Sequence, residues 1–240
     1  MATFKLALDA GHGLPTAGRR CLKEYDPEEH QEWWLNDRIA DYIAEAAKKY
    51  PGLSILRVDD ITGKEDLGLG KRCDKANDWD ADLYLSIHHN AGINGGRGGG
   101  VTAYSYREGT TGAAWRDAFY ARIVGATGLV GNRATPKSAA NFYVLSETAM
   151  PAVLVEHGFM DSPSDIPVII SDSFAKAVGY AYVEVIAERV GLEKAATPDP
   201  VETEKLYRVQ VGAYRKKANA EAMLEKLKKA GFEDAYIKTT

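Results

Sequence analysis

Three short apolar runs, each leading into a histidine, constrain this chain most. They are FKLALD at residues 4–9, running into Gly11-His12-Gly13; DLYLSI at 82–87, running into His88-His89; and AVLVE at 152–156, followed by His157. Each has strand length and is too short for a globular helix. Between them the spacing changes. Leu35, Ile39, Ile43, Ala46, Ala47 and Tyr50 predict an amphipathic helix over about 33–50, stopped by Pro51-Gly52. Phe174, Val178, Ala181, Tyr182, Val185 and Ile186 predict a closing helix. Further strands are expected at 53–58, 100–106 and 143–145, and a helix over 113–124. Strands alternating with helices predict an α/β domain with a largely parallel sheet.

The pattern breaks near Leu192. Residues 193–204 (EKAATPDPVETE) are polar, carry two prolines and have no apolar period, which predicts a linker. After it, 207–214 (YRVQVGAY) reads as a strand, 218–230 as a helix closed by Gly231, and 234–238 as the start of another strand. The expected organisation is a main domain over 1–192, a linker over 193–204 and a small βαβ-like module over 205–240, below the size at which a lone core is usually stable. Residues 205–240 carry nine Lys/Arg against four Asp/Glu, a net of +5; the whole chain carries −4, so the rest carries −9. A basic appendage on an acidic body suits an anionic polymer, and equally a solvated helix face.

With a net charge of −4, the molecule has no electrostatic case for nucleic acid. No run approaches ~18 apolar residues, so no membrane span is expected. The start, MATFKLALDAGHG, lacks a basic region followed by an apolar one, so no secretory signal is expected. Cys21 and Cys73 form no Cys-x-x-Cys pair and are expected to be reduced thiols.

In open α/β sheets ligands gather at the carboxyl ends of the strands, so His12, His88 or His89, and Glu156-His157 can converge there. A catalytic zinc site needs about three His or carboxylate ligands and an open position for water, with a further carboxylate to carry protons. This sequence can supply two His, one Glu ligand and a second Glu as base. GGRGGG at residues 95–100 lacks the Gly-Lys-Ser/Thr ending of a phosphate loop and precedes a strand, so it is expected to be a flexible loop at the cleft rim. Ser86 and Ser146 lack the G-x-S-x-G context of a serine hydrolase.

The motifs, taken in order, resemble N-acetylmuramoyl-L-alanine amidase family 3, the zinc amidases of phage endolysins, sporulation lysins and cell division. They are LALDAGHG ending in Asp9 to Gly13, Glu32 with Asn36 four residues on, Arg72-Cys-Asp-Lys-Ala76-Asn77, Ser86 to Ala91 (SIHHNA), and Ala152 to Phe159 (AVLVEHGF) followed by Ser-Pro-Ser-Asp. The resemblance covers about residues 4–190. It implies a twisted, mostly parallel sheet flanked by helices, with His12, Glu32 and His88 as zinc ligands and Glu156 as the catalytic carboxylate. Glu32, and not Glu28, Glu29 or His30, takes the ligand position because of its spacing to Asn36. His89, one residue past the ligand column, would point to the opposite face.

The activity implied is hydrolysis of the amide between N-acetylmuramic acid and L-alanine in peptidoglycan. Competing readings are a peptide-cleaving zinc carboxypeptidase of the wall and a non-catalytic wall binder. The tail resembles the first half of a sporulation-related (SPOR) module, which binds glycan strands; a half module would be completed by self-pairing with a second copy or by further chain. Expression in the cytoplasm without a signal peptide, followed by action on the wall after phage or mother-cell lysis, is the expected localisation.

Overall fold

The computed structural model describes residues 3–96, 98–195 and 209–238. The chain divides into two compact units, Met1–Ala195 and Ala196–Thr240. The first is built on a six-stranded sheet in the order β2-β1-β3-β6-β4-β5. The strands are β1 (Phe4–Ala10), β2 (Leu53–Arg57), β3 (Leu83–Asn90), β4 (Val101–Ser105), β5 (Lys137–Ala139) and β6 (Ala152–Phe159). β1, β2, β3 and β6 are mutually parallel, and β4 runs antiparallel to β6. The sheet is therefore mostly parallel, as the alternating pattern predicts.

The three short runs form its centre as β1, β3 and β6, and their mostly apolar character follows from burial on both faces. On one face Leu6, Leu8, Leu83, Leu85, Ile87, Val153 and Val155 pack against helices α1 (Glu32–Ala47), α3 (Thr111–Thr127) and α6 (Asp172–Val190). On the other, Ala7, Tyr84 and Leu154 meet α2 (Leu69–Asp78) and α4 (Tyr143–Ser146). A short α5 (Ile166–Ile169) links β6 to α6. Ser171 caps α6 by accepting from the Phe174 amide at 3.2 Å, and Gly191 ends it at φ 68°. Core positions such as Ile43 and Phe119 are fully buried, and truncating either to alanine costs roughly 2–5 kcal/mol.

The strand expected at 143–145 is the helical turn α4. Val144 and Leu145 are buried while Tyr143 is exposed, and no strand pairs with them. Helix α2 is charged at five of its ten positions, with only Cys73 and Ala76 as buried apolar residues, too few to be read as a helix from sequence. In the second unit α7 (Lys217–Lys229) lies where a helix is expected, but it buries none of its residues. The described parts of the two strands expected beside it, 209–214 and 234–238, are not strands, with Val209 87% and Tyr236 64% exposed. A strand needs a hydrogen-bonded neighbour and an apolar face to bury, and two or three such short segments around one helix provide neither. Tyr207, Arg208 and linker residues 196–204 lie outside the described residues. No helix among the described residues is long and apolar enough to cross a membrane.

Candidate active site

The site lies at the carboxyl ends of β1, β3 and β6. The chain leaves β1 at Ala10 and turns through Gly11-His12-Gly13. Gly11 must be glycine: the His88 ring fills the space where its side chain would be, with Cε1 2.1 Å from an added Cβ. His12 holds φ 67°, a left-handed backbone that costs a non-glycine residue on the order of 1–3 kcal/mol and needs support from outside.

Arg72 of α2 provides that support. Its guanidinium donates to the carbonyls of Leu67 (2.8 Å), Ala10 (3.0 Å) and His12 (2.8 Å), to Asp66 (3.0 Å) and to Asp9, using its whole fork of donors. Asp9 also accepts from Tyr84 (3.0 Å) and Ser86 (2.8 Å). Burial opposes the Asp9 charge, but the Arg72 guanidinium outweighs it and holds the carboxyl below the usual range. On α1, the Asn36 amide donates to the Gly11 carbonyl at 3.0 Å. Asp9, Asn36, Arg72 and Ser86, the motif letters without obvious chemistry, thus form the scaffold that aims His12.

Three side chains converge there. His12, Glu32 and His88 each offer a donor atom, all within 4.8 Å of one another, and they are the one such cluster of three among the described residues. Glu32 opens α1 and is buried. Its Oε1 meets His88 Nδ1 at 2.9 Å and accepts from the His89 amide at 3.2 Å. Its Oε2 is 3.2 Å from His12 Nε2 yet buried without a hydrogen bond. The two imidazoles meet edge-on, with centroids 5.0 Å apart. Burial would raise the Glu32 carboxyl, but the close approach of His12 and the bond to His88 win and hold it low. Burial would likewise lower His88, and Glu32 raises it to about 9, with Glu156 and Asp9 adding. A buried carboxylate with a spare oxygen, facing two imidazoles, is a donor set that suits a zinc-type cation: mixed nitrogen and oxygen ligands, three in number, with a side left open.

Glu156 on β6 stands in register with His88 on β3, so the two share a face. Its Oε2 is buried and unpartnered, and burial raises its carboxyl to about 7, with His88 pulling down and Glu32 pushing up. The next residues face the other way. His89 bonds through Nδ1 to Asn36 Oδ1 at 2.8 Å; since the Asn36 nitrogen is used on Gly11, its oxygen accepts and His89 donates. His157 Nδ1 lies 3.0 Å from the His88 carbonyl, and Tyr182 Oη lies 2.8 Å from His157 Nε2. Burial lowers both histidines, His157 to about 4, so both are neutral. His157 therefore donates to the carbonyl and accepts from the tyrosine. It is not part of the triad, although its strand leads there.

His30, Glu28 and Glu29 also lie outside the triad. His30 pairs with Asp26 (2.9 Å) and Glu28 (3.2 Å) and stacks on Trp34, while Glu29 pairs with Lys23. Two carboxylates after β6 hold the described residues that flank the glycine run: Asp161 Oδ2 accepts from the amides of Gly92, Ile93 and Asn94 at 2.7–2.8 Å, and Asp165 Oδ2 from Gly100 at 2.7 Å. Asp165 is the Asp of the Ser-Pro-Ser-Asp that follows the last motif, where it had no role assigned, and Asp161 was missed; the signal for both is their place just after the last strand.

Comparison with known proteins gives three results. The N-acetylmuramoyl-L-alanine amidase family model matches residues 6–188, and the SPOR domain model matches residues 203–240. The sporulation-specific N-acetylmuramoyl-L-alanine amidase of Bacillus subtilis (strain 168) is 32% identical over 235 residues, 97% of this chain and 84% of that protein. The endolysin of Bacillus phage SPP1 is 31% identical over 199 residues, 78% of this chain and 66% of that protein. Among solved structures, the N-acetylmuramoyl-L-alanine amidase of Clostridium difficile 630 aligns with TM-score 0.69 at 25% identity, covering 80% of this chain and 98% of that one. The catalytic domain of CwlV from Bacillus (Paenibacillus) polymyxa aligns with TM-score 0.70 at 24% identity, covering 80% and 100%, which shows the shared fold.

Proposed function

This chain belongs to the N-acetylmuramoyl-L-alanine amidase family and carries a SPOR domain, and from that premise we propose that it is a zinc-dependent amidase in which His12, Glu32 and His88 hold the metal and Glu156 moves the proton. Its activity is amidase action on peptidoglycan. The observation that carries the finer reading is the His12–Glu32–His88 cluster with Glu156 beside it on the same face of the sheet.

A zinc ion bound there would supply Lewis acidity, lowering the pKa of a bound water to about 7 and polarising the scissile carbonyl. The chain's own residues supply the rest. The Arg72 and Asn36 scaffold fixes His12 before substrate arrives. Glu156 accepts the proton of the attacking water and returns it to the leaving amine of L-alanine. Burial raises its carboxyl to about 7 in the metal-free chain, and a cation beside it would lower that, leaving the carboxylate form ready to take the proton of the attacking water.

The basic C-terminal module would hold the enzyme on the glycan, outside the chemistry. Pairing of two such modules is not needed for this reading. The domain division proposed is catalysis over 1–192, a linker over 193–204 and wall binding over 205–240.

Digestion of purified peptidoglycan tests the reading. The expected products are stem peptides with a new amino group on L-alanine and glycan strands without peptide, together with about one zinc per chain. New amino groups elsewhere in the stem would indicate the carboxypeptidase instead. A zinc-stripped sample with full activity would refute the metal's role.

A further inference from the structure

Glu156 has two register partners: His88 on β3 and, on the opposite side, Thr102 on β4. Partners in register share a face of the sheet, with Cβ atoms ~4.5–5.5 Å apart. Thr102 is 1% exposed, and its Oγ1 has no hydrogen-bond partner. Glu156 Oε2 is also buried and without one. Buried polar atoms are nearly always paired, so two unpaired atoms on adjoining strands, turned to the same face, call for a reason. The fold supplies none. Thr102 sits between buried Val101 and Ala103, and valine would fill the same volume with equal liking for a strand and no stranded hydroxyl.

We propose that Thr102 is a positioning residue for Glu156: its hydroxyl, through a turn of χ1 or one bridging water, holds Oε2 and so keeps the other carboxylate oxygen turned to the reacting water. This rests on the reading of Glu156 as the proton carrier. A hydroxyl suits the task because it can donate to the carboxylate and accept from the carboxylic acid, staying bonded as the proton comes and goes. Valine cannot, and a carboxylate free to rotate spends less time aimed at the water. The hydroxyl is thus kept at the expense of stability.

The test is Thr102→Val in the full chain, with Thr102→Ala as a second hydroxyl-free variant, Thr102→Ser as rescue, and Glu156→Gln in parallel. The readouts are kcat and KM on a small soluble muropeptide, zinc content and Tm. The expected result is that Thr102→Val and Thr102→Ala lower kcat about tenfold or more, with KM and zinc unchanged. Thr102→Val should melt no lower than the parent, and Thr102→Ser should restore kcat. In Glu156→Gln, adding Thr102→Val should cause no further loss. Unchanged kcat in both hydroxyl-free variants, or additive losses in the double variant, would overturn the inference. If instead Glu156→Gln itself keeps full kcat, the proton-carrier reading has failed first.

Discussion

Two pairs of neighbours in sequence, His88-His89 and Glu156-His157, end on opposite faces of the same sheet with opposite chemistry. On one face His88 and Glu156 keep some contact with solvent and sit among charged partners, with His88 raised to about 9 and Glu156 to about 7. On the other face His89 and His157 are sealed beneath the helices, lowered and neutral, and each spends its protonated nitrogen on holding something in place. A single residue step along an extended strand reverses the direction of the side chain, and that alone separates the groups proposed to handle metal and protons from the groups that brace them. Residue type does not distinguish the two sets.

The largest test of this contrast is on the site face. His12→Ala or His88→Ala is expected to lose zinc and essentially all activity, read by metal analysis and wall digestion. Glu156→Ala should keep zinc and fold but lose ~10²–10⁴-fold in kcat. If Glu156→Ala sheds zinc while Glu32→Ala retains it, ligand and base are exchanged and the contrast must be redrawn.

A second test uses pH on zinc-stripped protein. His88 is raised from 6.5 to about 9 by Glu32, so its protonated form contributes stability that is fully present below pH 6.5 and lost as pH rises through 9. Tm of the stripped enzyme should therefore fall between pH 6.5 and 9. In Glu32→Gln, which removes the charge that raises His88, the fall over that window should be smaller. Equal falls in the two proteins would mean that the pair does not carry this stability.

The same contrast explains what the sequence made legible. The apolar runs and their terminal histidines were visible because strands buried on both faces leave a nearly continuous apolar record, and the family resemblance of four spaced motifs pointed to His12, Glu32, His88 and Glu156. What stayed hidden depends on distant partners. Arg72 reads as one more charge on a polar helix until its donors are seen to close on Asp9, Ala10 and His12. Thr102 reads as an ordinary strand residue. Tyr-Val-Leu at 143–145 has strand-forming residues, but it buries Val144 and Leu145 as one helical turn against the sheet and pairs with no strand. In the tail, the alternating pattern at 207–214 specifies a strand only if something pairs with it.

The smallest effects belong to the bracing face. His157 touches His88 through the backbone carbonyl and not the ring, so His157→Phe should cost about tenfold in activity or zinc affinity, at the low end for groups that orient metal ligands. Tyr182→Phe should cost less activity still. Tyr182 donates to His157 Nε2, which leaves the proton on Nδ1, where it bonds the His88 carbonyl. Without that donor the buried nitrogen has no partner, a loss of roughly 1–3 kcal/mol in stability. The Nδ1–H tautomer still has its carbonyl acceptor, whereas the alternative would set a lone pair against that carbonyl, so the geometry at His88 should persist. Tyr182→Phe is therefore expected to show a lower urea midpoint with kcat within a few-fold of the parent. If it instead loses more activity than His157→Phe, the tyrosine acts on the site by a route other than His157, and the two faces are not separate in function.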